Sequence, residues 1–185
     1  MTTGSNLRLA SIEDADAIDA LMKASIRAIF PAFYDSRQTE SAVRYIGAVD
    51  RMLVADATYF VIEEDGELIA CGGWSRRDKL YTGSGTGADD ARRLDPVTEP
   101  ARVRAMFVRG DRTRRGLGTR ILDACRDSAR AEGFHVLALM ATLPGLQLYE
   151  RYGFEIKERT DIRMPDGSEI AGAAMEMQID GTADD

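Results

Sequence analysis

Apolar residues in the first half of the chain change from helical spacing to runs typical of strands. After a segment that resembles a capping box, apolar residues recur at the spacing of a helix and predict a first helix over 12–29. A second helical stretch is predicted over 38–49. Two strands are then predicted over 59–63 and 67–74, because Asp65-Gly66 between them favours a two-residue hairpin turn.

The second half of the chain predicts further strands that alternate with helices. In chain order these are a strand over 101–108, a helix over 114–132, a strand over 136–141, a short helix between Pro144 and Gly153, and strands over 155–161 and 173–179. Proline suits the first turn of a helix and glycine the position after its last turn, so the short helix is bounded at both ends. This order indicates a mixed α/β or α+β domain.

Length and composition fit one domain. The chain has 185 residues, of which 44% are hydrophobic and 30% charged, which is enough for an ordinary core. We expect a single domain over 7–180 with flexible ends at 1–6 and 181–185. The segment 76–100 has no clear secondary structure in its sequence, which favours either a lid over the site or a mobile surface loop.

Charge and cysteine usage exclude several classes of function. A net charge of −7 and a pI near 4.9 argue against a nucleic-acid partner, which usually requires a broad basic face. No run of 18 apolar residues and no secretory signal is present, so we expect a cytoplasmic protein without a membrane partner. Cys71 and Cys125 lack the spacing of metal ligands and His135 is the only histidine, so we expect reduced core thiols and no metal.

The most informative segment is 106–122, in which a strand breaks into an arginine-rich glycine turn and then a helix. Gly116 and Gly118 allow a tight turn and the close approach of an anion, while the first N–H groups of the helix lack intrahelical partners. Seven arginines and one aspartate fall within 102–120, a local charge of +6. Ile121 stands where a dinucleotide fingerprint needs Gly or Ala, and a P-loop Gly-Lys-Ser/Thr is absent. The segment therefore predicts another kind of phosphate cradle.

This turn resembles that of the GNAT superfamily of acetyl-CoA-dependent N-acetyltransferases, whose pattern is Gln/Arg-x-x-Gly-x-Gly/Ala. The pattern maps to 113–118, where only Thr113 departs from it. A second motif over 146–154 is similar to the short helix and following Gly-Phe near the C-terminal end of that family's domains. The resemblance covers 7–179 and implies a mixed, mostly antiparallel sheet with flanking helices, in which the parallel strands 101–108 and 136–141 splay apart.

The resemblance also implies an activity. It is the direct transfer of an acetyl group from acetyl-CoA, as cosubstrate, to a primary amine of a small molecule or peptide within a ternary complex. A non-catalytic acyl-CoA-binding or sensory module on the same fold is one alternative, and an enzyme of another class with a glycine-rich anion loop is a second. Homodimers are common in the family, but the sequence identifies no interface.

The resemblance assigns roles to particular residues. Tyr149 is implied as the general acid for the departing thiolate, against an alternative role in packing. The coenzyme is implied to contact the backbone of the strand and the turn after it, at Met106, Phe107, Val108, Thr113, Arg114, Arg115, Gly116, Leu117, Gly118 and Thr119.

The acceptor side is harder to assign. Trp74, Tyr81 and Arg104 are candidate substrate-binding residues around the long loop. Alternation places Arg102 and Arg104 on one face of their strand and Val103, Ala105 and Phe107 on the other. An arginine face on the cleft would suit an amine that also carries a carboxylate or phosphate, whereas paired or solvent-facing arginines would not. Candidate general bases, each also interpretable as a surface carboxylate, are Asp35, Glu40, Asp78, Asp95 and Glu99.

Overall fold

A computed structural model describes residues 4–78 and 92–179. Its strands are β1 (Asn6–Leu9), β2 (Tyr59–Glu64), β3 (Glu67–Ser75), β4 (Ala101–Val108), β5 (Val136–Thr142), β6 (Glu155–Arg163) and β7 (Glu169–Gln178). Its α-helices are α1 (Ala15–Ile29), α2 (Ser36–Tyr45), α3 (Arg51–Ala55), α4 (Leu117–Ala131) and α5 (Leu146–Tyr152). None of these helices is long and apolar enough to cross a membrane.

The strands form one mixed sheet in the order β1-β2-β3-β4-β5-β7-β6. Every neighbouring pair is antiparallel except β4 and β5, which run parallel. These two strands pair only at Ala101 with Leu137 and at Arg102 with Ala138, after which they separate. The predicted fold class, a mostly antiparallel sheet with a splayed parallel pair and flanking helices, is confirmed.

Each face of the sheet carries its own hydrophobic core. On one face, buried residues of α4 such as Ile121 and Cys125 pack with Leu137 of β5. On the other face, α1 packs through residues such as Met22 and Ile26. Both cysteines are buried free thiols, as predicted, and burial raises the pKa of Cys71 to about 12. We call the two sides of the sheet the α4 face and the α1 face.

Strand β4 contains a β-bulge that reverses its alternation. Ala105 has a left-handed φ of 51°, and Ala105 and Met106 together lie opposite Gly72 of β3. As a result Val103 packs in the core of the α4 face, whereas Ala105 and Phe107 pack on the α1 face. The prediction that Val103, Ala105 and Phe107 share one face was therefore wrong, because strict alternation holds only where no extra residue is inserted.

Several element bounds also differ from the sequence predictions. Strand β1 begins at Asn6, and Ser5 accepts a hydrogen bond from Arg120 at 2.6 Å, so residues 5 and 6 of the flexible end predicted over 1–6 are held in the fold. Helix α2 begins at Ser36 rather than 38, because Asp35 caps it through the backbone N–H of Gln38 at 2.8 Å. It also ends at Tyr45, so the segment predicted as 38–49 is followed by a separate short helix, α3, that the apolar spacing did not indicate.

Candidate active site

The separation of β4 from β5 opens a cleft of about 880 Å³. Residues 103–108 of β4 and Leu139, Met140 and Thr142 of β5 line it. Because the lining also includes residues of α4 and α5 on one side and of α1 on the other, the cleft connects the α4 face with the α1 face. The gap between two parallel strands is thus the central feature of the site.

The N-terminus of α4 forms one end of this cleft. The first intrahelical bond runs from the Arg120 N–H to the Gly116 carbonyl at 3.0 Å, and no side chain caps the helix. The N–H groups of residues 117–119 therefore have no intrahelical partner and carry the positive end of the helix dipole. Gly116 has a φ of 76°, which lets the chain turn into α4 at this point. The helix consequently begins at Leu117 instead of the predicted 114.

All the predicted coenzyme-binding residues except Arg115 line the cleft. Gly118 has a further role that the sequence did not suggest, because a Cβ there would lie 2.6 Å from the Cδ2 atom of Leu148. Its missing side chain therefore lets α5 pack closely against the start of α4. The assignment of these residues to coenzyme binding stays a prediction.

The arginine cluster is less positive than its sequence suggests. Carboxylates pair with Arg102, Arg104, Arg109, Arg112 and Arg115. Two of these carboxylates, Glu64 and Glu67, come from the β2–β3 hairpin, which lies beside the turn. Arg114 makes no ion pair with a described residue and lines the cleft, so it is the arginine of the cluster best placed to meet an anion.

The hydroxyl of a buried tyrosine holds the β4 bulge in place. Tyr59 is fully buried, and its hydroxyl donates a hydrogen bond to the carbonyl of Ala105 at 2.7 Å. The bulge turns the chain at the point where β4 has left β5, and residues 104–106 line the cleft there. On its β5 side, β4 has no pairing strand among the described residues beyond Arg102.

Tyr149 projects from α5 into the same cleft. Its ring is half-buried, packs edge-on against Phe154 at 5.8 Å, and contacts Gly145 so closely that a Cβ there would clash. No described residue forms a hydrogen bond with its hydroxyl, and burial raises the pKa of that hydroxyl. The hydroxyl of Tyr152, about one helical turn further along α5, instead donates a hydrogen bond to Asp123 at 2.7 Å. Of these two tyrosines of α5, Tyr149 is therefore the one that lines the cleft with a hydroxyl that has no partner among the described residues.

Two of the three candidate acceptor residues lie in packed environments. Trp74 is fully buried and packs edge-on against Phe134 at 5.6 Å, so it is a core residue rather than a pocket residue. Arg104 lines the cleft, but the residue is only 4% exposed. Its guanidinium pairs with Asp50 at 2.9 Å, and burial lowers the pKa of the guanidinium. Tyr81 lies outside the described residues. The predicted arginine face is therefore occupied by structural ion pairs, since Asp78 also pairs with Arg102.

None of the candidate bases lines the described part of the cleft. Asp35 caps α2, and Glu40 lies at the surface beside Arg27. Asp78 and Glu99 both pair with Arg92, which holds the pKa of Glu99 near 2. The remaining candidate, Asp95, accepts hydrogen bonds within its own turn. Asp78, Asp95 and Glu99 lie on the described flanks of segment 76–100, where the backbones of residues 77 and 93 form an antiparallel bridge.

The sequence missed an apolar group of residues on the α1 face. We define it as the apolar wall, which consists of Ile29, Phe30, Phe33, Ile46, Met140 and Ile162. These side chains come from separate elements, so no spacing in the sequence connects them. The one local signal was Phe30-Pro31-Ala32-Phe33, where a short 3-10 helix after α1 leaves Phe33 49% exposed.

Comparisons with known proteins agree with this geometry. The family described as Acetyltransferase (GNAT) domain matches residues 55–156, and no curated protein matches the chain. A GCN5-related N-acetyltransferase from Rhodopseudomonas palustris has a similar structure, with a TM-score of 0.69 and 20% identity over 96% of this chain and 98% of the other.

Two further similar structures were solved with a coenzyme. The PaiA N-acetyltransferase of Thermoplasma acidophilum, in complex with coenzyme A, has a TM-score of 0.66 and 16% identity over 95% of this chain and 99% of its own. Salmonella typhimurium YncA, described as an acetyltransferase and solved with its cofactor acetyl-CoA, has a TM-score of 0.62 and 18% identity over 98% of each chain. At these identities the likeness shows the fold. Because the family match spans more than half of the sequence, the chain belongs to the GNAT family of acetyltransferases.

Proposed function

We propose that this protein transfers the acetyl group of acetyl-CoA to a primary amine of a small molecule or peptide, directly and within a ternary complex. One observation carries the proposal. The cleft between β4 and β5 joins the unpaired N–H groups of α4 to the hydroxyl of Tyr149. An anion site and a proton donor on one continuous cleft are what thioester chemistry with coenzyme A requires.

Different residues of the cleft bind different parts of acetyl-CoA. The N–H groups of residues 117–119 and the guanidinium of Arg114 receive the pyrophosphate, since both supply positive charge to an anion. The open edge of β4 over 106–108 receives the pantetheine arm by backbone contacts. An amide N–H at the bulge then polarises the thioester carbonyl, which favours attack because negative charge develops on that oxygen.

Tyr149 supplies the proton for the leaving group. The amine nitrogen attacks the thioester carbonyl, the carbon–sulfur bond breaks, and the thiolate takes the hydroxyl proton of Tyr149. A tyrosine hydroxyl is protonated at neutral pH, so Tyr149 holds this proton until the thiolate forms. Water returns a proton to the tyrosine, and the attacking nitrogen releases one.

The test is a steady-state assay of free thiol release with acetyl-CoA and a panel of amines and N-terminal peptides, beside calorimetric measurement of coenzyme binding. Tyr149→Phe should lower kcat by about 10²- to 10⁴-fold and leave coenzyme affinity unchanged. Tyr152→Phe is the matched control, because the hydroxyl of Tyr152 already donates a hydrogen bond to Asp123. This variant should keep kcat within about twofold of the wild-type value.

Three outcomes would redirect the proposal. Coenzyme binding without thiol release across the panel would favour the non-catalytic binding or sensory module. A lack of coenzyme binding would favour a different class of anion-binding enzyme. Wild-type kcat in Tyr149→Phe, under conditions where chemistry limits the rate, would reduce Tyr149 to a packing residue.

A further inference from the structure

The α1 face of the cleft is an apolar surface that includes one exposed phenylalanine, Phe33. Phe30, Ile46, Met140 and Ile162 of the apolar wall pack in one cluster and also line the cleft. Phe33 stands at the edge with half its surface exposed, and it also lines the cleft. An exposed phenylalanine on a cleft is well placed to contact a bound ring.

The charges of the cleft disfavour a cation. Its charged lining residues within the described part of the chain are Arg104, Arg112, Arg114 and Arg151, and that lining includes no carboxylate. Arg104 is the one of these on the α1 face, where Asp50 offsets its charge. A protonated amine that entered this end would leave water for an apolar wall whose described lining includes no carboxylate, and this loss of solvation raises its free energy.

We propose that the acceptor is an aromatic amine, whose nitrogen is uncharged near neutral pH and whose flat apolar body fits the apolar wall. This inference rests on the proposed acetyl transfer and specifies its substrate class. A neutral nitrogen needs no residue to remove a proton before attack. Edge-on or offset contact with the exposed ring of Phe33 favours an aromatic body over an alkyl chain of equal size.

The reaction balances without a dedicated base. The aromatic amine nitrogen forms a bond to the acetyl carbon as the carbon–sulfur bond breaks. The nitrogen loses one proton to water, and the thiolate gains one from Tyr149. The products are an N-acetyl aromatic amide and the free thiol of coenzyme A.

The experiment compares two isomers, 4-ethylaniline and 2-phenylethylamine, at pH 7.5 with acetyl-CoA and thiol detection. They share composition and size, but only the second is a cation at this pH. We expect kcat/KM for 4-ethylaniline to exceed that for 2-phenylethylamine by about tenfold or more. Spermidine and leucine serve as polycationic and zwitterionic comparisons and should be poorer still.

A variant of the wall tests where the ring binds. Phe33→Ser should raise the KM for 4-ethylaniline by roughly 10-fold and leave the KM for acetyl-CoA unchanged. Val97→Ser is the control, because Val97 is also an exposed apolar residue, at 75%, but does not line the cleft. Both side chains are exposed enough for the variants to fold.

The outcomes separate this inference from the proposed function. Preference for spermidine, leucine or 2-phenylethylamine over 4-ethylaniline would overturn the aromatic-amine acceptor while acetyl transfer stands. Equal effects of Phe33→Ser and Val97→Ser would overturn the role of the apolar wall. Coenzyme binding without thiol release from any amine would contradict the proposed function itself.

Discussion

Two adjacent arginines allow a sharp test of the phosphate cradle. Arg114 and Arg115 carry the same charge and differ by one position, but only Arg114 lines the cleft. Arg115 turns to the other side and pairs with Glu64 at 3.2 Å. Replacing each in turn with glutamine removes one charge from nearly the same place in the sequence. We expect Arg114→Gln alone to weaken acetyl-CoA binding substantially.

The magnitude follows from the two environments. A hydrogen bond between a guanidinium and a phosphate contributes about 1.5–3 kcal/mol, and each 1.4 kcal/mol changes an affinity tenfold. Arg114→Gln should therefore raise the Kd for acetyl-CoA by roughly 10- to 100-fold. The Arg115 side chain is 50% exposed, and exposed ion pairs contribute ~1 kcal/mol or less. Arg115→Gln should thus change the Kd less than about fivefold.

Isothermal titration calorimetry with acetyl-CoA at two salt concentrations gives both affinities. Wild-type affinity should fall as salt rises, and the fall should be smaller for Arg114→Gln, because one screened contact has been removed. Circular dichroism checks that both variants fold. Equal losses of affinity in the two variants would refute the reasoning, since they would show that net charge near the turn matters and that the direction of each side chain does not.

Three further predictions concern buried and paired groups. Tyr59→Phe should lower kcat more than it raises the KM for acetyl-CoA, because the bulge carbonyl of Ala105 loses its partner, and a wild-type kcat would contradict this. Trp74→Phe should lower the free energy of unfolding by about 1–3 kcal/mol without changing the KM for an amine, as measured by urea titration and steady-state assay. A hydrogen bond from Arg8 lowers the pKa of Asp14 from 3.8 to about 2. The ionised Asp14 therefore stabilises the folded protein above pH 3.8, and this stabilisation is lost as pH falls to about 2. Acid titration of Asp14→Asn should show a smaller loss of stability over that interval.

Local chemistry was sufficient to predict most of the regular elements. Strand β4 has the predicted bounds, and the β2–β3 hairpin turns at Asp65-Gly66, where both residues have positive φ as the turn requires. The start of α2 was missed although its signal was local, because Asp35 and Gln38 form a capping box that the apolar spacing alone does not include. Such elements depend on residues a few positions apart, which a sequence displays directly.

The net charge at the site could not be predicted from one segment of the sequence. A charge of +6 over 102–120 ignores the carboxylates that other strands bring to it. Glu64 lies 48 positions before Arg112 and accepts a hydrogen bond from it at 2.9 Å. The cradle is thus defined less by the number of arginines than by backbone N–H groups and by the one arginine of the turn that the hairpin leaves without a carboxylate.

The acceptor end shows why adjacency along the chain misled the prediction. Trp74 was chosen because it precedes the long loop, yet β3 lies between β2 and β4 and is covered on both faces, so residues 69–75 of it are all buried. Alternation between buried and exposed positions applies to strands with one solvated face, and β3 has none. The apolar wall instead gathers residues from 29 to 162 around the gap that β4 and β5 leave open. A pocket of this kind exists only once the sheet has formed, so its residues share no pattern that a sequence could reveal.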